Sequence, residues 1–128
     1  MGSKKAWPGH MRPLICTTIF AKDKPDFLGS AKRASAMGSD LAELRIDHLE
    51  DATPSLLGQI VSESPLPLIA TNRSERDGGL ALESEESARL SLLESILEYE
   101  PDFVDIEYEI PEARQSKLFD SARNNSVR

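Results

Sequence analysis

Glu43, Arg45 and Asp47 occupy every second position of the segment Glu43-Leu44-Arg45-Ile46-Asp47. Apolar and charged residues alternating with period two read as a β-strand, which places the three ionisable groups on one face. On an antiparallel sheet that face would simply be wet, and the pattern would say nothing. Strand-like and helix-like segments alternate around it, however, which argues for a parallel sheet covered on both faces. Ionisable groups directed into such an interior are costly unless paired or engaged by a ligand. They are therefore candidate binding groups. An internal ion network that only fixes strand geometry is the competing reading.

In parallel-stranded folds, ligands bind beyond the carboxyl ends of the strands. There the first strand offers Thr18, and the second Glu43, Arg45 and Asp47. The third offers Arg73, followed by Ser74 and Asp77 in the loop before Gly78-Gly79, and the fourth offers Asp105, Glu107 and Glu109. Two arginines and several carboxylates around one mouth suit a small polyhydroxylated or carboxylated molecule: carboxylates accept hydroxyl protons, and arginine forks bind oxygen acceptors. Bland alternatives stand beside each. Arg73 could be a solvated loop arginine, and Asp77-Gly78-Gly79 an ordinary turn. Asp105 and Glu107 read as structural, with no partner visible in the sequence.

These groups need elements to hold them. Leu14 to Phe20 is an apolar, β-branched run and reads as strand one. Asp23 to Asp26, with its proline, opens a helix running to about Met37, with Gly38 just past its end. Strand two spans Leu41 to Asp47. Thr53-Pro54 caps a second helix, Ser55 to about Ser62, and strand three follows at Leu68 to Asn72. After the Arg73–Leu80 loop comes a long helix, Ser84 to Glu98. Its stripe is Leu90, Leu93 and Leu97, with Ile96 beside it. Strand four is Phe103 to Tyr108 and a last helix runs from Pro111 to about Arg123. Ser126-Val127-Arg128 stands where a fifth strand would begin. The fold class is thus α/β, with four β-then-α units, making either a small open sheet or one half of a (β/α)8 barrel, which needs about 250 residues.

The bulk properties narrow the function. The 128 residues carry a formal net charge of −7, which speaks against nucleic acid or an anionic membrane as the main partner. No apolar run is long enough to span a bilayer, and with no secretion signal a cytoplasmic location is the default. Residues 1–12 read as a leader or expression remnant, and 13–128 as the domain. The single cysteine, Cys16, excludes an internal disulfide and reads as a small buried apolar residue. His10 and His48 lack metal-ligand spacing. His48 alternates onto the face opposite Asp47 and reads as a packing or surface residue. The glycines form neither phosphate-cradling pattern.

Glu43-Leu44-Arg45-Ile46-Asp47 resembles the E-x-R-x-D strand of the type I 3-dehydroquinate dehydratases of the shikimate pathway. Thr71-Asn72-Arg73-Ser74 followed by Asp77-Gly78-Gly79 resembles the family's T-x-R-x-x-x-[ED]-G-G segment. Phe103-Val104-Asp105-Ile106-Glu107 looks like its fourth strand and Leu14-Ile15-Cys16 its first. The resemblance covers Pro13 to Arg128 and implies the N-terminal half of a (β/α)8 TIM-barrel lyase that converts 3-dehydroquinate to 3-dehydroshikimate. It implies covalent chemistry: a lysine amine forms a Schiff base with the substrate ketone and a histidine shuttles the proton, with no metal or organic cofactor. Carried over by position, Glu43, Arg45 and Arg73 would contact ring hydroxyls, and Thr18 would lie where the family often has a small polar residue. Asp77 falls where many members have a glutamate that assists the catalytic histidine; an aspartate is one methylene shorter.

In the family the histidine lies on strand five and the Schiff-base lysine on strand six, so the 128-residue chain is expected to be inactive alone. Half a barrel would also leave strands one and four as edges. Association with a C-terminal half, or with a second copy, is the expectation. A non-catalytic small-molecule-binding or self-associating α/β module is the alternative. Strand order separates them: 1-2-3-4 fits the half-barrel, 2-1-3-4 the open flavodoxin-like sheet. A receiver-type phosphorylation domain is a distant third, lacking an acidic pair after strand one.

Overall fold

The computed structural model describes residues 12–128. His10 and all of the expected leader except Arg12 lie outside the described residues. Arg12 itself is ion-paired to Asp40 at 2.6 Å.

Among the described residues four strands, β1 (Cys16–Ile19), β2 (Leu41–Arg45), β3 (Leu68–Thr71) and β4 (Phe103–Val104), alternate with four helices, α1 (Lys24–Ala36), α2 (Pro54–Glu63), α3 (Glu86–Leu97) and α4 (Glu112–Asn124). Local chemistry explains the helix starts. The Asp23 carboxylate accepts the Asp26 N–H at the start of α1, and the Thr53 hydroxyl accepts that of Leu56 at the start of α2, each with proline in the first turn. Past the end of α1, Gly38 has φ of +99°, a left-handed conformation that costs a side chain dearly.

The sheet is wholly parallel in the order β1-β2-β3-β4. That sequential order is the half-barrel's and excludes the flavodoxin-like alternative. Arg128 already lies beside β4 in parallel fashion, its N–H donating to the Asp102 carbonyl and its own carbonyl accepting from the Val104 N–H at 2.8 Å.

Alternation along the strands sorts side chains to two faces. One face, with Ala42, Leu44, Leu68 and Ala70, is buried beneath Phe27 and Ala31 of α1, Leu57 and Ile60 of α2, and Leu118 of α4. The apolar stripe expected on α3 is intact: Leu90, Leu93, Ile96 and Leu97 are all buried. Each fully buried Leu or Ile contributes about 1.5–3 kcal/mol, so this layer dominates stability. The opposite face carries Cys16, Thr18, Glu43, Arg45, Ile69 and Arg73, all exposed or half-buried. The expectation of a sheet covered on both faces is therefore corrected: among the described residues, helices cover one face only. Cys16 follows from the same geometry. It points to the open face of the edge strand and is exposed, not buried as its residue type suggested.

All four strands are shorter than their patterns: β1 spans Cys16–Ile19 rather than Leu14 to Phe20, and β3 stops one residue early, at Thr71. β2 ends at Arg45, and Ile46–His48 form a 3₁₀ turn. β4 keeps two residues, because β3, its partner, ends at Thr71; the Asp105 N–H still reaches the Ala70 carbonyl at 2.9 Å before the chain turns away. Among the described residues no helix is long and apolar enough to cross a membrane.

Gly29, inside α1, offers a test of the helix assignment. A Cβ there would meet only the end of Arg33 at 3.5 Å. Gly29→Ala should therefore raise the unfolding free energy in urea by about 0.5–1 kcal/mol through the lower entropy of the unfolded chain.

Candidate functional site

The open face at the carboxyl ends of the strands gathers most of the residues singled out in the sequence. Register pairs Thr18 with Glu43 across β1 and β2, and the Thr18 hydroxyl donates to Glu43 Oε1 at 2.8 Å. The Thr71 hydroxyl of β3 donates to Oε2 at 2.7 Å. One carboxylate thus ties three strands through their inner side chains. Its remaining lone pairs can still accept protons from a ligand.

Arg45 folds its guanidinium onto Asp47 with two bonds, Nε to Oδ1 at 2.9 Å and Nη2 to Oδ2 at 2.8 Å. The Arg73 backbone N–H reaches the same carboxylate at 3.2 Å, and the Leu80 N–H at 3.0 Å. The Asp47 side chain is fully buried. Burial would raise its pKa, but the bonds from Arg45, Leu80 and Arg73 outweigh that and hold it below the ordinary carboxylate range. Asp47 is therefore a clamp joining the end of β2 to both ends of the β3–α3 loop. The 3₁₀ turn that delivers it also breaks strand alternation. His48 consequently does not lie opposite Asp47: its Nε2 is 3.8 Å from Asp47 Oδ2, and its ring packs on Phe20 at 4.6 Å. Arg45 sits 5.1 Å above the same Phe20 ring.

Arg73 pairs with Asp105, its Nη1 and Nη2 lying 3.3 and 3.1 Å from the two carboxylate oxygens. Glu107 follows at 3.6 Å. Burial would lower the Arg73 pKa, but Asp105 more than compensates and the guanidinium stays charged. Arg73 is thus no free solvated arginine, and Asp105 and Glu107 do have partners. Behind them lies a residue that the sequence reading missed. Arg89 of α3, almost wholly buried, bonds Glu107 Oε1 and the Asn72 carbonyl through Nη1, at 2.6 and 2.9 Å. It also pairs with Glu86. Its position is a signal in retrospect: four residues before Leu93 and seven before Ile96, it sits on the buried stripe of α3, where a lone cation requires a buried acid.

The Asp77-Gly78-Gly79 segment is more than a surface turn. Ser74 and Ala81 form a bridge at the base of the loop. Gly78 is left-handed at φ +90°, and a Cβ on Gly79 would come within 2.1 Å of the Arg73 carbonyl oxygen. Asp77 is exposed at the tip, with Oδ2 accepting from the Ser74 hydroxyl at 3.2 Å. Its pKa is drawn below the ordinary range by the Ser74 hydroxyl and by the charges of Arg76 and Arg73. Among the described residues no group of three His, Cys, Asp or Glu side chains is placed to hold a metal ion.

Hydroxyl acceptors at Glu43, and guanidinium donors at Arg45 and Arg73 fixed by carboxylates, make one polar wall on the face of the sheet that the helices leave uncovered. The sequence profile of the type I 3-dehydroquinase family matches residues 15–128. The chain belongs to this family. It is 36% identical over 117 residues to the 3-dehydroquinate dehydratase of Methanothermobacter thermautotrophicus, a match covering 91% of this chain and 52% of that protein. It is 33% identical over 98 residues to the chloroplastic bifunctional 3-dehydroquinate dehydratase/shikimate dehydrogenase of Arabidopsis thaliana, covering 76% of this chain and 16% of that one. Among solved structures, the 3-dehydroquinate dehydratase of Enterococcus faecalis superposes with a TM-score of 0.80 at 25% identity, over 91% of this chain and 51% of that chain. The type I enzyme of Clostridium difficile, solved with covalently modified comenic acid, gives a TM-score of 0.80 at 27% identity, over 94% and 50%. The chain thus spans about half the length of the archaeal relative and of both solved enzymes. Its four units are the half-barrel of the type I 3-dehydroquinase fold.

The clamp is directly testable. Asp47→Asn keeps the shape but replaces one acceptor oxygen by a donor facing donors, and should lower the unfolding free energy by about 3 kcal/mol in urea. Because the Asp47 pKa is lower folded than unfolded, its contribution is complete above the unfolded carboxyl value of about 4. It is lost as the pH falls through the folded value. Stability of the unaltered chain should therefore drop on acidification, and Asp47→Asn should show a smaller drop.

Proposed function

We propose that this chain is the substrate-orienting half of a type I 3-dehydroquinate dehydratase, a lyase that eliminates water from 3-dehydroquinate. The observation that supports this most is the grouping of Glu43, Arg45 and Arg73 on the open face at the carboxyl ends of neighbouring strands, within a chain of that family. Glu43, steadied by Thr18 and Thr71, accepts hydroxyl protons from the ring. Arg45 and Arg73, kept rigid by Asp47 and Asp105, donate to ring oxygens and fix the orientation of the substrate. Asp77, beside Arg73 at the loop tip, assists the histidine that the family resemblance places on strand five. The Schiff-base lysine belongs to strand six in that resemblance, and the matched portion of this chain ends before both strands.

The 128 residues by themselves therefore orient substrate without supplying the amine nucleophile. The half-exposed inner face and the open edge of β1 suit association with a C-terminal half, or with a second copy. The test is a dehydratase assay, following formation of the conjugated product in the ultraviolet. The chain alone should give no turnover. Mixed with the separately produced remainder of the Methanothermobacter thermautotrophicus relative, it should give turnover, and Arg73→Ala should cut kcat/KM about tenfold to hundredfold, as for the loss of one charge-assisted hydrogen bond. Turnover by the 128 residues alone would refute the division of labour. An unaffected Arg73→Ala mixture would refute the assignment of Arg73.

A further inference from the structure

Glu107 is a buried carboxylate with an unusual number of attachments. Its Oε1 meets Arg89 Nη1 at 2.6 Å, and it accepts both from Ser74: the backbone N–H at 3.2 Å to Oε1 and the hydroxyl at 2.9 Å to Oε2. Arg89 is anchored in turn. Its guanidinium binds the Asn72 carbonyl at 2.9 Å and Glu86 at 2.6 Å, while the Asn72 side-chain amide returns a bond to the Arg89 carbonyl at 3.1 Å. Every polar atom of this cluster that is buried has a partner. The cluster joins α3, the end of β3 and the segment after β4 at a single point. Two of its contacts lead toward the site: Glu107 Oε2 lies 3.6 Å from Arg73 Nη1, and the Ser74 hydroxyl lies 3.2 Å from Asp77 Oδ2.

A buried ion pair contributes little net stability compared with well-packed apolar side chains. Packing alone would be served by a Met pair here, so the arrangement calls for another role. We propose that Arg89 and Glu107 are positioning residues, which set the Asp77 carboxylate at the mouth of the site by fixing Ser74. Arg89 neutralises and orients Glu107. Glu107 clamps Ser74 through its backbone N–H, and the single Ser74 hydroxyl proton, shared between Glu107 and Asp77, holds the shorter aspartate side chain in place. The groups facing Asp77 are Ser74 and Glu107 from behind and Arg76 and Arg73 at its sides. Its lowered pKa agrees with this arrangement. The reason for placing Asp77 rests on the dehydratase reading, but the placement can be measured without substrate.

The experiment is a carboxyl-carbon NMR titration of the 128-residue chain. In the double variant Arg89→Met/Glu107→Met, one positive and one negative charge leave together, so net charge is unchanged. Its amide spectrum reports folding. The titration midpoint of Asp77 should rise toward the ordinary carboxylate range, since the Ser74 hydroxyl that donates to it is no longer anchored. Glu107→Gln keeps an acceptor for Arg89 and the Ser74 N–H and an amide donor for the hydroxyl, so Asp77 should stay low. A midpoint that does not rise in the folded double variant, or that rises equally in Glu107→Gln, overturns the proposal. Addition of 3-dehydroquinate to the same sample separates the two claims. No perturbation of Glu43 and Arg73 would defeat the dehydratase reading and leave the Asp77 result standing.

Discussion

An ionised carboxylate removed from water must be met by donors, and at Asp47 four of them converge. Two come from its neighbour Arg45 and two from the ends of a loop that begins 26 residues later in the chain. This single requirement stops β2 at Arg45, turns the chain into a 3₁₀ segment and fixes where the loop after β3 begins and ends. It also immobilises the guanidinium of Arg45 before any ligand arrives. A guanidinium already held in place loses less conformational freedom on binding, so a larger share of its interaction with a ligand is realised as affinity.

The same logic runs through the rest of the face. Arg73 is held by Asp105, Arg89 by Glu107 and Glu86, and Glu43 by two threonine hydroxyls. Charges are paired within the wall, and the pairs are graded in burial from Arg89–Glu107, sealed under α3, to Arg73–Asp105, partly open to solvent. The buried end supplies rigidity. The open end keeps polar atoms accessible to solvent. Helices covering the other face of the sheet provide the apolar core that this polar wall does not.

Element order, helix caps and the α3 stripe were legible in the sequence because each depends on neighbours within a turn or two: Asp23 and Thr53 at helix starts, Leu90 to Leu97 along one face. Glu43 and Arg45 were legible as a pair for the same reason, since two-residue alternation is local. What escaped the reading was non-local. The end of β2 depends on Leu80, the length of β4 on where β3 stops, and the orientation of His48 on the turn that Asp47 creates. Arg89 was hidden among the apolar residues of its stripe, its buried acid partner Glu107 lying 18 residues away. Cys16 was misjudged because its residue type favours burial, whereas its strand lies at the sheet edge and its side chain on the open face.

In the proposed reading, Glu43, Arg45 and Arg73 form one preorganised surface for a ring bearing hydroxyls. The most direct measurement is a titration of the 128-residue chain with 3-dehydroquinate, followed at the Arg45 and Arg73 Nε–H signals and the Glu43 carboxyl carbon. All three should shift along one saturating curve, while signals of the helix-covered face stay still. Saturation that leaves Glu43 and the two arginines unmoved, or that moves them with different affinities, would contradict it.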